Sequence, residues 1–107
     1  MNEYYPDNWV IIKFNGPYPH YCVLAGWSGG YATSDSWRMN IGIVRHEFDG
    51  EYWRFYGIST DSCYVCHVDS YGLRMSTAGV WGQLQGEHVE MIEDQAWIGE
   101  DWDWILK

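Results

Sequence analysis

The dipeptide Asp49-Gly50 constrains this chain more than any other feature, because it lies between two runs of strand-forming residues and predicts which side chains face each other. The flanks read Ile41-Gly42-Ile43-Val44-Arg45-His46-Glu47-Phe48 and Glu51-Tyr52-Trp53-Arg54-Phe55-Tyr56-Gly57-Ile58. β-Branched and aromatic residues on both sides of Asp-Gly are the strongest short-range signal for a β-hairpin. A two-residue turn at Asp49-Gly50 pairs Phe48 with Glu51, His46 with Trp53 and Arg45 with Arg54. Directly opposed side chains lie about 5 Å apart, and like charges there repel. Two of only six basic residues thus meet on one face beside Tyr52 and Tyr56. Something negative belongs between them. One candidate is Glu47, diagonal to Arg54 on the same face; the other is a bound phosphate or carboxylate.

A length of 107 residues suits a single domain, 1–107, with one small core and no room for a deep catalytic cleft under a separate lid. Eight Trp and nine Tyr stand against three Phe, so most of the aromatic mass carries a polar handle that must reach a partner or water. Such residues are enriched at interfaces. A homo-oligomer, an aromatic-lined site, or both are expected. The net charge of -9 argues against general nucleic-acid affinity, which needs a basic surface. It leaves room for a single nucleotide held by a local arginine cluster, or for a nucleic-acid mimic that occupies a partner's basic channel. The start of the chain has no basic region followed by an apolar run, and no stretch approaches the ~20 apolar residues of a membrane span. A cytosolic protein without a membrane partner is expected, and three Cys in a reducing compartment do not predict a structural disulfide.

Along the chain, residues 8–14 read as a first strand closed by the turn residues Asn15-Gly16-Pro17-Tyr18-Pro19, and 20–27 as a second. A glycine- and hydroxyl-rich loop follows at 28–36, ending before Trp37-Arg38-Met39-Asn40. After the hairpin a fifth strand runs over 63–68 and turns out at Asp69-Ser70-Tyr71-Gly72. Ser76 caps a short helix through Leu84, with Val80, Trp81 and Leu84 on one face and Gly86 as its stop. Gly79 and Gly82 each weaken a helix by roughly 1 kcal/mol relative to Ala, so this one depends on the packing of Trp81. Residues 88–92 alternate as a last strand. The segment 87–103 holds seven acids and no base, and Trp97, Trp102 and Trp104 mark the acidic C-terminal segment at about 93–107. The expected fold is α+β, a small antiparallel sheet of about five or six strands with one short helix in the C-terminal half, packed on one face.

Three motifs carry possible chemistry. Cys63-Tyr64-Val65-Cys66-His67 matches the spacing of covalent haem attachment, but that chemistry belongs to exported chains and this stretch reads as a strand. Zinc could recruit Cys22 or His20 as further ligands, yet strand alternation puts Cys63 and Cys66 on opposite faces, so buried apolar thiols are the simpler reading. Gly26-Trp27-Ser28-Gly29-Gly30 fits a nucleophile elbow without the large parallel sheet and following helix that an elbow requires. A flexible glycine turn that brings backbone N–H groups toward a ligand is more economical. His46, His67 and Asp35 offer acid–base groups, but no spacing singles out a nucleophile or a complete metal site. The expectation is therefore a protein that is not an enzyme, with no cofactor and no metal.

The runs Val23-Leu24-Ala25-Gly26-Trp27-Ser28-Gly29-Gly30-Tyr31, Asp35-Ser36-Trp37-Arg38-Met39-Asn40 and Cys66-His67-Val68-Asp69-Ser70-Tyr71-Gly72-Leu73-Arg74-Met75 resemble the signature stretches of a small uncharacterised protein family of tailed bacteriophages. The resemblance covers residues 4–94. It implies a phage accessory protein in the cytoplasm of the infected bacterium. Small acidic phage proteins of this sort resemble inhibitors of host defence, which sequester nucleotide-derived immune signals or block a defence protein. In the first reading a phosphorylated, nucleotide-like small molecule is gripped by Arg38, Arg45, Arg54 and Arg74, each within a few positions of Tyr or Trp. Trp27, Ser28, Tyr31, Trp37, Tyr56, His67 and Tyr71 complete that ligand set. The bland alternative pairs these arginines with the chain's fifteen acids. In the second reading the acidic C-terminal segment presents Trp102 and Trp104 to a basic surface on a host defence protein.

Overall fold

A computed structural model describes residues 2–16, 19–27, 36–40, 42–57, 62–74, 76–84 and 88–99. The described strands are β1 (Asn2–Tyr4), β2 (Asn8–Phe14), β3 (His20–Trp27), β4 (Ser36–Met39), β5 (Ile43–Phe48), β6 (Tyr52–Gly57), β7 (Ser62–His67) and β8 (Val89–Met91). A helix, α1 (Ser76–Leu84), lies between β7 and β8, and 3₁₀ turns occupy Val68–Ser70 and Ala96–Gly99. The strands form two four-stranded sheets, ordered β1-β7-β6-β5 and β4-β3-β2-β8.

These sheets pack face to face, and α1 covers the far side of the second, giving three layers. The arrangement follows from β2 and β3, the inner strands of the second sheet. Trp9, Val10, Ile11 and Ile12 are all buried, as are the six residues from Tyr21 to Gly26. A strand covered on both faces reads as an unbroken apolar run. Trp9, Ile11, Val23 and Ala25 face the first sheet, where they meet Ile43, Trp53, Phe55, Tyr64 and Cys66. Val10, Ile12 and Leu24 face the helix, against Val80, Trp81 and Leu84. Trp81 thus holds a helix whose glycines weaken it, as its sequence requires.

Trp97 completes the core. Its ring is fully buried among Trp9, Trp53, Phe55 and Tyr71, with centroids between 5.3 and 5.8 Å away. Tyr71 ties this cluster to the backbone. The second sheet's β8 covers only the Ile12 to Phe14 end of β2, so the exposed donors and acceptors nearer Trp9 need other partners. Gly72 N donates to Trp9 O, Ile92 N donates to Ile11 O, and Ile11 N donates to the Tyr71 hydroxyl at 3.0 Å. That hydroxyl in turn donates to Ile92 O.

Two sequence expectations need correction. The α+β class with one helix in the C-terminal half holds and the strand count is roughly met, but the strands divide between two sheets, one containing a parallel pair, β1 with β7. Neither β1 nor β4 announces itself, because strands of three and four residues carry too few positions for a pattern. The hairpin register also differs. Phe48 pairs with Trp53, Glu47 with Arg54, His46 with Phe55 and Arg45 with Tyr56, with an irregularity between Ile43 and Arg45. The turn centres on Gly50-Glu51, one residue later than Asp49-Gly50. Asp49 is the cause: its Oδ1 accepts from Glu51 N at 2.9 Å and Tyr52 N at 2.7 Å, and Asp49 N donates to Tyr52 O. Gly50, at φ 100°, takes the first central position, the place where a type II′ hairpin turn favours glycine.

Candidate functional site

The residues singled out by sequence fall in several places. Arg45, Arg54, Tyr56 and His67 share the outer face of the first sheet, turned away from the core. Arg45 and Arg54 are not opposed, and each has its own partner. The Arg45 guanidinium lies 4.0 Å from the Tyr56 ring centre and 3.3 Å from Glu47. Arg54 donates to Asp49 Oδ2 at 2.6 Å. The Asp49 carboxyl, held by the two backbone N–H groups of the turn and then by Arg54, is drawn down to about 2. A hydrogen bond to Glu47, and after it burial, pushes the Tyr56 phenol up to about 12. His67 Nδ1 accepts from Asp69 N at 3.1 Å, and its Nε2 lies 3.5 Å from Glu51. The negative charge expected between the arginines is therefore supplied by the chain's own Glu47 and Asp49.

Tyr71 is committed to the core through both hydrogen bonds of its hydroxyl, and burial pushes that phenol well up. Arg74 is exposed, and its backbone N donates to Thr77 Oγ1 at the start of α1. Trp37 stands about half exposed, at 48%, on the edge strand β4. Ser28, Tyr31, Trp102 and Trp104 lie outside the described residues. The three thiols point into three different layers. Cys66 faces the core between the sheets, and Cys63, one strand position out of phase with it, lies on the outer face of the first sheet. Cys22 shares the parity of Leu24 and so faces the helix layer. Strand geometry keeps them from converging on one ion.

Arg38 stands apart from the other arginines. It belongs to β4, where it pairs with Ala25, and there the edge of the second sheet meets the β1 edge of the first. Between these edges lies a cleft of about 250 Å³ lined by Asn2, Tyr4, Arg38, Met39, Asn40, Ser62 and Tyr64. Asn2 and Tyr4 reach it because β1 runs parallel to β7 with Asn2 opposite Ser62 and Tyr4 opposite Tyr64. The Arg38 guanidinium lies 4.7 Å from the Tyr4 ring centre, and the Tyr4 and Tyr64 rings are 5.1 Å apart. Trp27 closes the back of Tyr4 edge-on, its Nε1 anchored on Tyr5 O at 2.9 Å. Burial pushes the Tyr64 phenol up to about 12, with the nearby Arg38 charge pulling the other way, so this hydroxyl is neutral at physiological pH.

No carboxylate lines the cleft among the described residues. A single guanidinium therefore faces neutral amides, hydroxyls and two phenol rings. That set can hold an anion through a charge-assisted, forked hydrogen bond while an aromatic group stacks beside it. Arg38 and the nearby Trp27 were legible as candidates from their residue types. Asn2, Tyr4, Ser62 and Tyr64 were not, because only the pairing of β1 with β7 brings them together, nor was Asn40, which reaches the cleft from the end of β4.

The chain matches no protein-family model, no curated protein and no solved structure.

Proposed function

We propose that this protein is a non-enzymatic binding module that holds a small phosphorylated, nucleotide-like molecule in the cleft between β1, β7 and β4. One observation carries the reading: Arg38 is the charged group of a cleft whose other described lining residues are neutral. A planar guanidinium matches phosphate oxygens in pairs, and Tyr4 and Tyr64 offer π-faces to a base. At about 250 Å³ the cleft falls below the roughly 300–1,000 Å³ of pockets that enclose drug-sized ligands, which favours a mononucleotide-sized group over a larger one. A role in sequestering a nucleotide-derived signal of host defence follows from the resemblance to phage proteins and rests on that alone. The rival reading, an acidic inhibitor of a defence protein, draws on the acids and Trp residues of the C-terminal segment.

The test is thermal unfolding and calorimetric titration with a panel of nucleoside 5′-monophosphates. A ligand at a hundred times its dissociation constant raises stability by roughly 2.7 kcal/mol. Arg38→Gln should abolish that gain and leave the unliganded melting temperature close to that of the parent, because Arg38 lies at an exposed edge. Binding that survives Arg38→Gln, or none by the parent protein, refutes the reading.

A further inference from the structure

Two dipeptides in this chain, Asn15-Gly16 and Asp49-Gly50, place a carboxamide or carboxyl side chain directly before a glycine nitrogen. In such a pair the glycine N can reach the preceding Cγ and close a cyclic imide, because glycine has no Cβ to crowd the attacking nitrogen or restrict its rotation. The fold treats the two pairs in opposite ways. Asp49 is held: its Oδ1 accepts from Glu51 N and Tyr52 N, and its Oδ2 accepts from Arg54. Those donors keep it ionised, and a carboxylate is a poor electrophile without a good leaving group. Asn15 is open. It follows the last residue of β2 and is exposed, with its backbone N donating to His88 O at 2.7 Å. Among the described residues, no hydrogen bond ties down its carboxamide. Gly16 is exposed as well, and a Cβ built on it would meet nothing within 4 Å, so the chain can rotate here without collision. Asn8 and Asn40, by contrast, are buried and precede Trp9 and Ile41.

We propose that Asn15 is a site of spontaneous covalent modification, converted through a cyclic imide with Gly16 into aspartyl and isoaspartyl forms. Gly16 N gives up its proton to base and attacks Asn15 Cγ; the new N–C bond displaces Nδ2, which leaves as ammonia. Water then opens the ring. Breaking the bond from Gly16 N to Cγ leaves an aspartyl residue. Breaking the bond to the main-chain carbonyl carbon instead carries the chain on through Cγ as isoaspartyl, one carbon longer. Overall, one carboxamide and one water become one carboxylate and ammonium, and no oxidant or cofactor is needed. The position matters because β2 ends here: Phe14 pairs with His20 of β3 and Val89 of β8, and its ring stacks on His20 at 4.9 Å. The new charge, and in the isoaspartyl form the extra carbon, enter where this pairing hands over to the turn.

The experiment incubates the folded full chain at neutral and mildly alkaline pH beside a synthetic peptide spanning residues 13–18, and maps both by mass spectrometry, the protein after proteolysis. The folded protein should yield two new forms of the Asn15 peptide, each heavier by the exchange of NH2 for OH and resolved by chromatography. They should accumulate faster as the pH rises, at a rate close to that of the synthetic peptide. Asn8, Asn40 and Asp49 should stay unchanged in the same samples. Gly16→Ala keeps Asn15 but puts a methyl group beside the attacking nitrogen, and it should lower the yield of both forms severalfold. An Asn15 that stays intact in the folded protein while the synthetic peptide converts overturns the proposal. Equal conversion at Asn8 or Asn40 does the same, since transient unfolding and not the open turn would then set the rate. Conversion that is unchanged in Gly16→Ala overturns the imide route. The first two readings are made on the parent protein and the peptide, so they do not depend on the variant folding.

Discussion

Replacing Gly26 by Ala tests how the helix is seated on the second sheet. A Cβ built at Gly26 would lie 2.6 Å from Thr77 Cγ2, 2.9 Å from Asn8 Oδ1 and 3.0 Å from Asn8 Nδ2. Neither neighbour can yield easily. Thr77 is fully buried in the first turn of α1, with a β-branched side chain that has few rotamers to choose from. Asn8 is also buried, and its Oδ1 accepts from Thr77 Oγ1 at 2.7 Å. Relief requires the start of α1 to lift away from β3 and to break that hydrogen bond. Overpacking of a tight site costs about 1–3 kcal/mol, and the lost bond adds about 1 kcal/mol. The sum of about 2–4 kcal/mol lowers the melting temperature by on the order of 10–25 °C at this chain length. Calorimetry or far-ultraviolet circular dichroism reads it directly. Gly79→Ala is the matched control, since a Cβ there meets nothing within 4 Å and Ala gains about 1 kcal/mol in a helix. A melting temperature for Gly26→Ala within a degree or two of the parent would falsify the seating of α1 against Asn8.

Asp49 makes the hairpin turn sensitive to acid. Its carboxyl is drawn from 3.8 to about 2 in the fold, so its contribution is complete above the unfolded value and disappears as the pH falls from near 3.8 to about 2. Asp49→Asn should flatten that part of the stability–pH curve in urea titrations. Tyr71→Phe strands Ile11 N and Ile92 O in the interior and should cost about 1–3 kcal/mol, seen as a lower urea midpoint at constant slope. Deleting the chain from Trp97 onward removes an indole at the centre of the core, and the expected loss of about 3–5 kcal/mol should appear as a collapsed or absent thermal transition. All three thiols are buried, with burial pushing Cys22 up to about 12 and Cys66 well above its ordinary value. A thiol-specific chromogenic reagent should therefore react slowly with native protein and at once in denaturant.

The parts of the fold legible in the sequence are those specified locally. Strands at 8–14 and 20–27 were readable to the residue and the helix at 76–84 to within one residue at its start, because turn residues bound the strands and one apolar face marks the helix. The hairpin was legible as a hairpin but not in its register. A hydrogen-bonding Asp side chain can move a turn along the chain, and here it moves the pairing by two residues. A shift of two keeps the parity of every side chain, which is why Arg45, Arg54 and Tyr56 still share a face. It separates the arginines, however, and so removes the repulsion that called for a ligand between them. The parallel pairing of β1 with β7 joins residues about sixty positions apart, and no local signal carries that information.

The candidate site lay beyond sequence reading for the same reason, since it is assembled from three segments around Asn2, Arg38 and Ser62. Residue type placed Arg38 in the same class as Arg45 and Arg54; what separates them is the company each keeps. With fifteen acids against six bases, an arginine on an open sheet face finds a carboxylate nearby, and Glu47 and Asp49 meet Arg45 and Arg54 in this way. At the junction of the two sheets, the neighbours are phenols and amides instead. The net charge of -9 does repel an approaching anion, but at physiological salt that field decays over about 8 Å. Arg38 is the charged group among the described lining residues, and acids farther away than that length weigh little against it. An acidic protein can hold an anion at this position without a basic surface, because capture is decided by the charges within one screening length of the site.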